Sequence, residues 1–183
     1  MKPTELIYAA TAAVALALMA SCGGGGEDKN TNNENNNGSA FPASLISDKP
    51  MEGAIGVVAA RKAGKSGESI VIRGKVGGVD PALSDAAAIF VLADEKAITS
   101  CDDIPGDECP TPWDYCCADP DEKKASIATI QIVDADGKVI RKGLRGLGGI
   151  KELSHVIISG TVNDKSTAEN MIVNATTIHV EKP

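Results

Sequence analysis

The sequence predicts an all-β domain, and three observations carry that prediction. Its apolar residues fall in short runs, of which 69–76 alternates with period two and 86–93 is continuous. Glycine, aspartate and asparagine separate those runs. The one stretch with leucines and an isoleucine at turn-like spacing, GLRGLGGIKELS at 143–154, is too rich in glycine to make more than a short helical turn.

The first strand is read at 69–76, SIVIRGKV, with Ile70, Ile72, Gly74 and Val76 on one face and Val71, Arg73 and Lys75 on the other. Gly74 inside it predicts a bulge or sharp bend, the device by which a strand curls into a barrel. Residues 86–93, AAAIFVLA, form a continuous apolar run read as a strand covered on both faces and ended by Asp94; periodicity alone leaves a buried helix open. A third strand at 125–133 reaches the turn Asp134-Ala135-Asp136-Gly137 and resumes at 138–141. Residues 156–162 and 171–180 complete the set.

Five strands with a small helical element between the third and fourth is the order of the OB-fold, a small Greek-key barrel. GKVGG in the first strand, VIISGTV in the fourth and IVNATTIHV in the last resemble the strand signatures of OB-fold domains in tRNA-synthetase anticodon-binding modules and bacterial envelope proteins. The resemblance covers residues 66–181 and implies barrel geometry rather than an activity. The expected fold is a five-stranded OB-fold Greek-key barrel, with a cysteine-rich insertion between strands 2 and 3 and a short helical turn between strands 3 and 4.

Cys22 sets the expected compartment. Lys2, an apolar segment at 6–19, and the small residues Ala20 and Ser21 precede it in the order of a secretory signal. A membrane-spanning helix needs about 20 apolar residues, and this run is shorter and stops in glycine. Leu18-Met19-Ala20-Ser21-Cys22 resembles the lipobox of bacterial lipoproteins, although Met19 stands where leucine is usual and Glu5 dilutes the positive start. That resemblance implies loss of residues 1–21 and a lipid-bearing Cys22 that anchors the chain to a membrane. Residues 23–40 contain no aliphatic side chain larger than alanine and cannot offset the entropy of ordering. They are read as a tether of about 20 to 25 Å. Gly23, where aspartate resembles an inner-membrane retention signal, implies the outer membrane, facing the periplasm. The expected organisation is a signal peptide at 1–21, a linker at 22–50 and a folded domain at 51–183 beginning near Met51, long enough for a core of its own.

Residues 95–124 exceed what a minimal barrel needs. They contain CDDIPGDECPTPWDYCC, which holds Cys101, Cys109, Cys116 and Cys117, every cysteine apart from Cys22. TPWDYCC resembles a block in uncharacterised secreted or lipid-anchored bacterial proteins, which implies a family and no mechanism. In an exported chain, four clustered cysteines read as two disulfides stapling a polar loop. Bonding Cys116 to Cys117 requires a strained peptide, so Cys101 and Cys109 are expected each to reach one of that pair. The alternative is a metal site in which the same four cysteines bind copper or zinc through soft thiolates. Asp102, Asp103, Asp107, Glu108, Asp114 and Asp119 oppose thiolate formation there but attract cations. A thiol relay at Cys116 and Cys117 is a third reading. Trp113 and Tyr115 are candidates for a surface that binds a protein or small ligand; packing over the cysteines or capping the barrel is the competing role.

A net charge of -7 repels phosphate backbones, and no basic groove with stacking aromatics is legible, which argues against nucleic acid as a partner. AARKAGKS at 59–66 lacks the first glycine of a phosphate-binding loop and precedes a strand, so it reads as a basic turn. Asp134 to Gly137 opens like a calcium loop, but Arg145 occupies the position of the distal glutamate. His155 and His179 fall on strands that neighbour one another in an OB barrel, without an assignable third ligand. No nucleophile elbow or H-E-x-x-H is present, and no catalytic residue is assigned. The expected function is a non-enzymatic, membrane-anchored OB-fold lipoprotein domain, a binding or structural module without a cofactor. The alternative is a periplasmic metal-handling or thiol-redox protein.

Overall fold

The computed structural model describes residues 40–182. Cys22, the expected signal peptide at 1–21 and the expected linker up to residue 39 lie outside the described residues. In chain order the elements are β1 (Ile55–Gly56), α1 (Val57–Ala63), β2 (Ser69–Val76), β3 (Ile89–Ala93), α2 (Pro120–Ala125), β4 (Ile127–Gln131), β5 (His155–Val162) and β6 (Ile172–Val180). Single 3-10 turns stand at Cys101–Asp103, Pro112–Asp114 and Leu147–Gly149. β2, β3, β4, β6 and β5 pair in that order, and β5 returns to β2, so five strands close a barrel to which β1 adds a sixth. β4 and β6 run parallel and the other barrel pairs antiparallel.

Closure requires β2 to change neighbours along one edge. Its whole length pairs with β5, while its other edge meets β1 at Ile72 and Arg73 and then β3 at Lys75 and Val76. Gly74 sits at the exchange, where a Cβ would lie 2.9 Å from Leu92 Cγ and closer still to the Ala93 carbonyl oxygen. The bend expected from Gly74 is therefore a close approach of two strands, and the register shift falls instead on β5, between Ser159 and Gly160. Inside the barrel, Ile72, Val76, Phe90, Leu92, Ile130, Val156, Ile158 and Ile178 are fully buried.

Besides the third strand, which ends at Gln131 and leaves 138–141 only an isolated bridge between Val133 and Val139 in place of the expected strand, four boundaries differ from the sequence reading by more than a residue. The run at 86–93 becomes strand only from Ile89, with Phe90 and Leu92 buried and Ile89 and Val91 half-buried, so it is covered on one face more than the other. The strand expected from residue 125 starts at Ile127, because α2 takes the preceding residues, with the Asp119 side chain accepting from the Asp121 and Glu122 backbone N–H groups. Residues 59–63, read as part of a basic turn, belong to α1, whose Val57 and Ala60 pack into the core. Asp94 organises its start, accepting from the Val58 N–H at 2.9 Å, and Arg61 fastens its end by donating to the carbonyls of Ile127, Ala168 and Glu169.

The fourth difference is where the packed chain begins. Residues 41–47, assigned above to the linker, add to the barrel: Leu45 is 1% exposed, Phe41 and Ile46 pack against the core, and Ile46 bridges to Ile178. Ile178 N donates to Leu45 O at 2.6 Å and Ser47 N to Ile178 O at 2.9 Å. Composition concealed this because a few apolar residues suffice when each enters a formed core. No helix among the described residues is long and apolar enough to cross a membrane.

Leu45→Ala is expected to destabilise the domain by about 3 kcal/mol, the ordinary loss for emptying a buried leucine site. Urea unfolding checks it; a change below about 0.5 kcal/mol, the range of a surface substitution, would return residues 41–47 to the tether.

Candidate functional site

Close backbone approach and a small apolar core dock the insertion between β3 and β4. Gly78 N donates to the Trp113 carbonyl at 2.7 Å. A Cβ on Gly77 would stand 2.7 Å from that same oxygen and 2.8 Å from Tyr115 Cε2, so glycine there admits the loop. Tyr115 fills a small second core with Ala93 and Ile98, flanked by Ala118 and Ile127.

Tyr115 is wholly buried and left-handed, at φ 57°. It therefore does not belong to a displayed binding surface, which corrects one of the two aromatic candidates; its role is to anchor the loop. Among the described residues its buried hydroxyl has no hydrogen-bond partner of ordinary geometry. Burial pushes its pKa up, and the nearby Ser100 hydroxyl is occupied by Lys75 and Asp103. Trp113 is half-buried and donates from Nε1 to Asp80 Oδ1 at 3.1 Å.

Beneath the loop lies a charge that alternation placed on the outside. Lys75 Nζ donates to Ser100 Oγ at 2.8 Å, to both oxygens of Asp102 at 3.1 and 3.0 Å, and to Asp103 Oδ2 at 2.8 Å. The lysine side chain is 3% exposed, against 32% and 56% for the aspartates. Burial by itself lowers the Lys75 pKa, but the hydrogen bonds of Asp103 and Asp102 outweigh it and hold the ammonium above its ordinary value. Asp103 is held below its ordinary value of 3.8, first by the Lys75 hydrogen bond and then by Ser100. These contacts clamp the turn that begins at Cys101 onto β2.

The four cysteines converge on Cys116. Its Sγ lies 3.5 Å from Cys109 Sγ, 3.6 Å from Cys101 Sγ and 3.8 Å from Cys117 Sγ. A disulfide requires about 2.05 Å, so the expected pair of staples is not formed and all four are free thiols. Cys101 is buried, Cys109 half-buried, and Cys116 and Cys117 exposed. Asp114 accepts from the Cys116 N–H at 2.7 Å and Asp107 from the Cys109 N–H at 2.6 Å, which turns both carboxylates toward the sulfurs. The thiols differ in acidity. The Thr111 backbone and the Cys116 thiol favour the Cys109 thiolate, lowering its pKa. Cys116 is raised by its sulfur neighbours, Cys109 first.

The histidines do not share a site. His155 Nδ1 pairs with Glu95 Oε2 at 2.7 Å and His179 Nδ1 with the Ser47 carbonyl at 2.9 Å; neither joins a donor cluster among the described residues. Asp134 organises a turn, accepting from the Asp136 and Lys138 N–H groups. A cleft beside the insertion is lined in part by Arg73, Lys75, Asp102, Trp113 and His155. Sequence reasoning missed Lys75, and no local signal marks it, because its partners lie 25 to 28 positions away. Comparison with protein-family models, curated proteins and solved structures finds no match for this chain.

Asp102→Ala combined with Asp103→Ala leaves the buried ammonium without its counter-charges and is expected to cost about 3 kcal/mol. Lys75→Met is expected to cost less, because the carboxylates it frees reach solvent. The depressed Asp103 contributes stability that is present above its ordinary value and lost as pH falls through its lower folded value. In Lys75→Met the loss of stability on acidification from 3.8 downward is therefore expected to be shallower, as read by urea unfolding across pH. In the reduced, metal-free chain, iodoacetamide at about pH 8 is expected to modify Cys109 before Cys116, since the thiolate is the reacting form; peptide mass spectrometry that finds the reverse order contradicts the assigned acidities.

Proposed function

We propose that this chain is a non-enzymatic lipoprotein of the cell envelope, anchored through Cys22, whose OB-fold Greek-key barrel displays a thiolate centre for zinc or copper(I). The strand circuit β2-β3-β4-β6-β5 supports the OB assignment, with the 3-10 turn at Leu147–Gly149 between the strands that correspond to the third and fourth of the barrel. The observation that carries the metal reading is the sulfur spacing. Four sulfurs about 2.3 Å from a tetrahedral ion stand about 3.8 Å from one another. Cys116 Sγ has its three sulfur neighbours at 3.5 to 3.8 Å. For Cys101, Cys109 and Cys116, whose ligand atoms lie with that of Asp114 all within 4.8 Å of one another, this spacing suits ligands around one ion and is well beyond a covalent bond.

The surroundings support the same reading. Asp107 and Asp114 bring negative charge to a loop whose metal would be a cation, while Lys75 occupies Asp102 and Asp103. Cys101 enters the site from the clamped, buried end and the other sulfurs approach from solvent, so an ion can enter without opening the barrel. Metal coordination would also keep these thiols reduced in an oxidising compartment.

The full chain, purified without chelator, is expected to carry zinc or copper and to show the four loop thiols protected from alkylation until the metal is removed. Elemental analysis and intact mass check this together. Two disulfides with no metal would overturn the reading in favour of a stapled loop that presents Trp113 to a protein or small ligand.

A further inference from the structure

The insertion offers more donors than one tetrahedral ion takes. Cys101, Cys109, Asp114 and Cys116 form one set whose ligand atoms all lie within 4.8 Å of one another, and Cys101, Asp107 and Cys117 form another. Cys101 belongs to both, and the 3.8 Å contact between Cys116 and Cys117 runs between them. The two aspartates are oriented by backbone and hydroxyl groups of the loop itself: Asp114 accepts from Cys116 N and Thr111 Oγ1, and Asp107 accepts from Cys109 N and from the Cys117 thiol.

We infer that the loop binds two zinc ions bridged by the Cys101 thiolate, an inference that rests on the metal reading above. The first ion takes Cys101, Cys109, Cys116 and Asp114, a closed tetrahedral set of the structural kind. The second takes Cys101, Cys117 and Asp107 and keeps one position for water or an incoming ligand. Cys101 suits the bridging role because it is the buried sulfur, held from behind by the turn that Lys75 clamps, whereas Cys116 and Cys117 lie toward solvent.

Charge and donor type select zinc over copper(I). Four thiolates and two carboxylates carry six negative charges; one divalent ion leaves four of them uncompensated, two divalent ions leave two, and two copper(I) ions leave four. Closely spaced like charges repel, so the second divalent ion relieves what the first leaves behind. Carboxylate oxygens are also poor partners for copper(I) and ordinary ones for zinc. Each of the four thiols gives its proton to the solvent as its sulfur binds metal, and no electron is transferred. The consequence is a pair of unequal ions, the closed one structural and the open one exchangeable.

The test adds zinc alone to the full chain after reduction and removal of metal, and reads bound ions by native mass spectrometry. Two zinc ions are expected in the unaltered chain, the second being removed first by a weak chelator. Cys117→Ser and Asp107→Asn, both in the second set only, are each expected to reduce the count to one while leaving the first ion in place. One ion in the unaltered chain overturns the inference and leaves the metal reading standing; no zinc overturns the inference and, where copper(I) added in its place is not bound either, the metal reading with it. Two ions retained by both variants would remove Cys117 and Asp107 from the ligand set and overturn the bridged arrangement.

Discussion

β2 has to serve three neighbours, and Gly74 is the residue that lets it. With β5 along one edge, the strand must hand its other edge from β1 to β3 within a single residue. Any side chain at that point would be driven into Leu92 and the Ala93 carbonyl. Further along the same strand Lys75 reaches the insertion, and just beyond it Gly77 and Gly78 lie under Trp113 and Tyr115. The closure of the barrel and the docking of the cysteine loop thus meet on one strand.

The insertion is held by groups of opposite character. Tyr115 and Ile98 give it a small apolar core, while Lys75 gives it a buried charge that two aspartates satisfy. A buried ammonium is costly unless paired, so the clamp fixes the position of Asp102 and Asp103 and, through the chain, of Cys101 between Ser100 and Asp102. The sulfurs on the far side of the loop have no comparable buried charge pair among the described residues: Cys116 and Cys117 are exposed, the Cys116 N–H donating to Asp114 and the Cys117 thiol to Asp107. One rigid ligand and several adjustable ones are well suited to a centre that can gain and lose an ion, as proposed for the thiolate loop.

Much of the barrel was legible before any coordinates. The apolar runs placed β2, β5 and β6 to within a residue at either end, and in β2 alternation also marked the face that carries Ile72, Gly74 and Val76. Helix α1 was not legible: VVAARKA is seven residues, too short for its period to stand out, and its start is held by Asp94 from another part of the chain. Leu45 was hidden for a related reason. It lies between a polar tail and a run of turn residues, and only Ile178 and its neighbours make it a core residue. The cysteines were legible as a cluster and not as an arrangement, since spacing along the chain does not say which sulfurs meet.

Sequence by itself determined that the described domain is built from short strands and that its cysteines, with the acids that neighbour them, fall in a single insertion. Those are properties of composition and of periods shorter than ten residues, which local steric rules read directly. Tertiary structure decided that Lys75 is buried, that Tyr115 faces inward, that residues 41–47 complete the core, and that three sulfurs surround Cys116 within 3.8 Å. Each of these depends on segments far apart in sequence reaching the same place, and that meeting is set by how the barrel closes rather than by any local pattern.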